Sequence, residues 1–123
     1  MHPDVEYYTG TNIVFRRYTV DDGGMEQGRT TTHGLDGSVI GIYNFVDGKY
    51  HGLCMEWHDN GTLSWYANFV DDKVHGTTMT WWPSGVLSTL INYIDGVRDG
   101  WARTWNEDGE LISEKFYVDG EKI

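Results

Sequence analysis

The sequence predicts an all-β fold, a single-layer twisted antiparallel meander of tandem β-hairpins, and three observations predict it. The first is a constant offset of 24 residues that aligns Trp57, Trp81 and Trp105; Gly52, Gly76 and Gly100; Gly61, Gly85 and Gly109; Leu63, Leu87 and Leu111; Phe45, Phe69, Tyr93 and Tyr117; and Asp47, Asp71, Asp95 and Asp119. Self-similarity at a period of about 20 to 50 residues marks a repeat array. The second is turn chemistry. Asp36-Gly37, Asn60-Gly61, Ser84-Gly85 and Asp108-Gly109 separate runs of five to nine residues, and glycine accepts the positive φ that hairpin turns require. The third is composition: six Trp, eight Tyr, four Phe and sixteen Gly in 123 residues suit strands and tight turns better than helices.

Taken in order, residues 1–20 read as an N-terminal cap hairpin. Val5-Glu6-Tyr7-Tyr8 and Ile13-Val14-Phe15-Arg16-Arg17-Tyr18-Thr19-Val20 flank the turn Thr9-Gly10-Thr11-Asn12, and terminal units of an array are expected to be atypical. Residues 21–123 form the array, with units at about 21–46, 47–70, 71–94 and 95–118 and a terminal turn at 119–123. The first unit is longer by two residues within Gly23-Gly24-Met25-Glu26-Gln27-Gly28 and carries His33 where later units place Trp. The segments joining units, such as Val46-Asp47-Gly48 through His51-Gly52, predict a second row of turns along the opposite edge of the sheet.

Side-chain alternation assigns the faces. Leu53, Met55 and Trp57 point one way and Cys54, Glu56 and His58 the other; on the return strand Leu63, Trp65, Ala67 and Phe69 alternate with Thr62, Ser64, Tyr66 and Asn68. One face is thus expected to be aromatic and aliphatic and the other polar. Each hairpin should advance the sheet by roughly 10 Å, with the Trp column stacking along the ribbon.

Net charge is −10, which repels nucleic acid phosphates and anionic membrane surfaces alike, so neither direct nucleic acid binding nor membrane binding is expected. A lone cysteine, Cys54, cannot form an internal disulfide and favours a reducing, cytoplasmic location. Met1-His2-Pro3-Asp4-Val5-Glu6 lacks the basic and apolar regions of a signal peptide.

The unit Asp47-Gly48-Lys49-Tyr50-His51-Gly52, then Trp57, then Asn60-Gly61-Thr62-Leu63 resembles the MORN repeat. It is most similar to the variant form of bacterial antitoxin-component proteins and of phage and viral MORN-repeat proteins, and the resemblance covers about residues 20–123. It implies an elongated sheet of hairpins that serves as a scaffold for protein contacts, sometimes for dimerisation, and brings no catalytic residues. Lipid binding, attached to some members, fits poorly with the acidic charge. The chain departs from the pattern at His33, at Asp72 in place of a glycine, and at Asp99 where two units have His.

Chemistry is sparsely signalled. His51 and His75 share a repeat position, so the period explains them, and Cys54, Glu56 and His58 are too widely spaced along one strand face to complete a tetrahedral metal set. No catalytic residue, metal or cofactor is expected. Two surfaces remain for a partner. One is aromatic: Trp57, Trp65, Trp81, Trp82, Trp101 and Trp105, a residue type that dominates interface hot spots. The other is the acidic edge of Asp36, Asp59, Glu107 and Asp108, with no basic residue beside it. Carboxylates at intervals of about 10 Å could mimic a phosphate strand and occupy a nucleic-acid-binding groove of another protein. The expected function is a non-enzymatic protein-binding module, an inhibitory or neutralising partner such as an antitoxin or anti-defence protein; the alternatives are a generic assembly scaffold and, more remotely, a metal-dependent enzyme. Homodimerisation through sheet edges or faces is open.

Overall fold

A computed structural model describes residues 1–123. The strands are β1 (His2–Tyr7), β2 (Val14–Val20), β3 (Gly28–His33), β4 (Val39–Val46), β5 (Lys49–Tyr50), β6 (Gly52–Trp57), β7 (Leu63–Val70), β8 (Lys73–Val74), β9 (Gly76–Trp81), β10 (Leu87–Ile94), β11 (Val97–Trp105), β12 (Leu111–Val118) and β13 (Glu121–Lys122). There are no helices. All thirteen strands belong to one open antiparallel sheet in chain order, with β5 and β8 pairing back onto β4 and β7. The sheet does not close, so β1 and β13 are its outer edges.

Two kinds of turn hold the meander together, one per edge. At the first edge Gly61 N–H donates to His58 O and His58 N–H to Thr62 O, and the same pair of bonds recurs at Trp82–Val86 and Asn106–Glu110. At the second edge, turns are built on left-handed pairs: Asp47 and Gly48 (φ 51° and 76°), Asp71 and Asp72 (48° and 69°), Asp95 and Gly96 (49° and 80°), and Asp119 and Gly120 (50° and 83°). Such turns match the twist of the flanking strands. Here Asp72 adopts a conformation that the other units give to glycine. Just beyond the first three of these turns the chain kinks at Gly52, Gly76 or Gly100, with φ of 98°, 97° and 103°, a region closed to ordinary side chains; β6 and β9 begin at the first two kinks, whereas β11 runs through the third. On both sides of the kink the chain pairs with the same preceding strand: Tyr50 with Phe45 and Met55 with Ile42, or Arg98 with Tyr93 and Ala102 with Ile91.

The faces differ from strict alternation. Cys54 pairs with Ala67 and Glu56 with Trp65, while Trp57 pairs with Leu63, so Ser64 is skipped. The same irregularity skips Ile40, Ser88 and Ile112 in the other hairpins. Trp65, Ala67 and Phe69 therefore share a face with Cys54 and Glu56, and Leu53 and Met55 share the other with Tyr66 and Asn68. This corrects the expected division into one apolar and one polar face. An extra residue in the return strand reverses the side to which everything beyond it points.

The most buried strip lies on the Cys54 face. Cys54 and Ala67 are fully buried, and Thr30, Gly41 and Ala102 nearly so. Larger neighbours cover these small residues. Tyr50 sits between Phe45 and Phe69, with ring centroids 4.8 and 5.1 Å away, and Trp65 meets Phe69 edge-on at 6.0 Å. Tyr43 folds over Gly41, where a Cβ would come within 2.8 Å of the ring, and its hydroxyl donates to Glu56 at 2.6 Å. Burial, then the Glu56 bond, raises the Tyr43 phenol well above its ordinary range. Further along, Arg98 takes the place of Tyr50, lying over Tyr117 and donating to its hydroxyl.

Candidate partner-binding surface

Trp57, Trp81 and Trp105 each end a strand and pair with Leu63, Leu87 and Leu111 respectively. A leucine strand thus stands between successive tryptophans, and the expected stacking of one Trp on the next does not occur. The reason is spacing: two strand intervals separate them by roughly 10 Å, beyond the roughly 4.5–7 Å at which rings touch. Nor do the six tryptophans form one face. Trp65 lies on the Cys54 face and Trp101 on the opposite one, where it pairs with Phe116. Trp101 is the most open of the six, 39% exposed, with Phe116 edge-on at 5.0 Å and the Arg103 guanidinium 4.7 Å above it. Arg103 is itself held by Glu114 at 2.9 Å.

Trp82 acts as a tie. Its indole N–H donates to the carbonyl of Trp105 at 3.1 Å, one hairpin further on, and His58 Nε2 makes the equivalent bond to the Trp81 carbonyl at 2.7 Å. Asn60 and Thr62 add bonds to the Pro83 carbonyl. The tips of neighbouring hairpins are thereby laced together. These links escaped the sequence reading, although the run Gly34, His58, Trp82, Asn106 at one repeat position carried the signal.

The opposite edge has its own ties. His51 and His75 each reach the aspartate of the following turn, Asp71 and Asp95, at 3.6 Å. Gln27 and Asp99 approach Asp47 and Asp119 from the same position. Asp72 accepts from the Tyr50 N–H at 2.7 Å.

Asp36, Asp59, Glu107 and Asp108 are all exposed on the tip row, but the row is not continuous. The tip Trp82-Pro83-Ser84-Gly85 carries no acid, so the carboxylates form two groups, not an even file. Asp36 is engaged locally: its Oδ1 accepts from the Ser38 hydroxyl at 2.6 Å and the Ser38 N–H at 3.0 Å, and the hydroxyl bond above all holds its pKa below the ordinary carboxylate value.

One junction between tips lacks this tie. At the Gly34 position there is no side chain to reach the Trp57 carbonyl, and a recess of about 530 Å³ lies between the Asp36 and Asp59 tips. Val39, Ile40, Ile42 and Trp57 line it, with Asp36 and Asp59 at its margin. Three of the residues chosen from the sequence, Trp57, Asp36 and Asp59, come together here; Glu107, Asp108 and Trp101 lie at the far end of the sheet, and Trp65, Trp81, Trp82 and Trp105 serve packing or ties.

Cys54 is a buried free thiol whose pKa is raised by burial. No three His, Cys, Asp or Glu side chains stand close enough together to hold a metal ion. No protein-family model matches the chain, and no curated protein matches it.

Proposed function

We propose that this chain is a non-enzymatic protein-binding module built of MORN-variant hairpins, which inhibits or neutralises a protein partner bearing a basic surface. The observation that carries this reading is the joint exposure, on an open sheet, of an aromatic anchor at Trp101 and Phe116 and of acidic hairpin tips. Large exposed aromatic groups beside charged margins are what protein interfaces use, and a net charge of −10 directs the module towards basic partners. The 24-residue recurrence of Asp-Gly, Gly, Trp and Asn-Gly-x-Leu positions supports the MORN assignment. The broken acid row favours discrete contacts over mimicry of a continuous phosphate strand.

The test is capture from native lysate followed by titration of the identified partner. Trp101→Ala should weaken binding at least tenfold at all salt concentrations, because a hot-spot aromatic contributes about 2 kcal/mol or more. Asp108→Lys should weaken it mainly at low salt. Wild-type affinity in both variants overturns the reading. An assembly-scaffold role is the second reading, supported by the two unpaired outer edges of β1 and β13. Light scattering at micromolar concentration returning only monomer mass removes its homodimeric form.

A further inference from the structure

The recess between the Asp36 and Asp59 tips is a gap in an otherwise regular lacing. At the next two junctions a side chain from the preceding hairpin, His58 or Trp82, donates to the carbonyl of Trp81 or Trp105. At this junction the donor position is Gly34, so no side chain from it reaches the Trp57 carbonyl. What would complete the site is a donor from outside the chain. Its chemistry follows from the walls. Val39, Ile40, Ile42 and the Trp57 indole give the recess an apolar part, and Ser38, His58, Asn60 and the carboxylates of Asp36 and Asp59 give it a polar one. Asp36 commits one oxygen to Ser38, which leaves its second oxygen and both of those of Asp59 without a side-chain partner.

We propose that this recess receives an arginine side chain of the partner protein, a deepening that rests on the partner-binding reading above. A guanidinium is planar, weakly hydrated and stacks on aromatic faces, while its five donors can serve a carbonyl and a carboxylate together. Its methylene stem matches Ile40 and Ile42. Lysine has the charge but neither the plane nor the fork. A neighbouring cavity of about 380 Å³ between the first two tips is lined by Arg17, which disfavours a second cation there.

The experiment is an NMR titration of the intact chain with N-acetyl-arginine amide, with N-acetyl-lysine amide as control. Saturable shifts are expected at the amides of Gly37, Asp59 and Gly61 and at the Trp57 indole, not at Gly85, with a dissociation constant on the order of millimolar and at least threefold preference for arginine. Gly34→His should refill the junction from within: a Cβ at Gly34 would lie 3.6 Å from Ile40 and 3.1 Å from the Asp36 carboxylate, on the side of the recess. This variant should lose the shifts. Asp59→Asn, an exposed change that keeps the shape, should weaken binding at least threefold and carries the test if Gly34→His does not fold. Equal shifts at every acidic tip, equal binding of lysine, or binding unaltered in Asp59→Asn overturns the proposal. If arginine does not bind but the partner is still captured, only the recess assignment falls. If arginine binds and no partner depends on Trp101 or Asp108, the functional reading falls and the recess stands.

Discussion

Asp72 shows how single residues carry the energetics of this sheet. It holds φ at 69° without being glycine, and its carboxylate takes the Tyr50 N–H. Left-handed backbone costs a non-glycine residue about 1–2 kcal/mol, and the hydrogen bond returns about 0.5–1.5 kcal/mol. Asp72→Gly removes both terms and should leave stability within about 1 kcal/mol of wild type, whereas Asp72→Ala keeps the strain and loses the bond and should cost about 1–2 kcal/mol in urea unfolding. Thr78 presents the converse case. Its hydroxyl is buried without a partner, while Cys54 and Ala102 occupy the equivalent positions in the neighbouring units. Thr78→Val should therefore raise stability by about 1 kcal/mol. Asp21 supplies a pH dependence: its carboxylate accepts from Met25 N–H first, then from the Gln27 amide and Gly23 N–H, and its pKa lies below the ordinary 3.8. A carboxyl depressed in the folded state stabilises above its unfolded pKa, and this contribution is lost as pH falls through the folded value. Asp21→Asn should thus unfold more readily than wild type at pH 7, with the difference shrinking on acidification below about pH 4.

At the level of the hairpin, the turns were legible and the faces were not. Asn-Gly and Asp-Gly dipeptides specify left-handed positions by chemistry that needs no tertiary context, and the strands they delimit form as expected. The skipped residues Ile40, Ser64, Ser88 and Ile112 are as often apolar as polar, so nothing in their side chains announces a bulge. Alternation carried across them assigned Trp65, Ala67 and Phe69 to the wrong side. The recess was half legible. Trp57, Asp36 and Asp59 stood out individually, but what brings them into one opening is a side chain missing at Gly34, and its meaning depends on where His58 and Trp82 reach. Those ties predict that Trp82→Phe, which keeps an aromatic ring but removes the donor and part of the packing area, should cost at least about 0.5–1.5 kcal/mol by denaturant titration. It should also shift the backbone amide of Asn106, whose preceding carbonyl loses its partner.

Over the whole molecule the sheet has one thin buried strip. Its accessible surface is 7493 Å², against about 6,700 Å² for a compact monomer of this mass. Only five residues are buried. Nineteen acidic residues against nine basic ones give a net charge of −10 on that extended surface, so self-repulsion opposes folding. Raising NaCl from about 10 mM to about 300 mM should increase the melting temperature measured by circular dichroism, because the screening length shrinks below the spacing of the tips. The longest side-chain hydrogen bond in sequence terms joins Tyr8 to His33, 25 residues apart. No part of the chain waits for a distant segment, so a nascent polypeptide can lay down each rung as soon as the next two dozen residues clear the ribosome, and the growing ribbon serves as the template for its own extension.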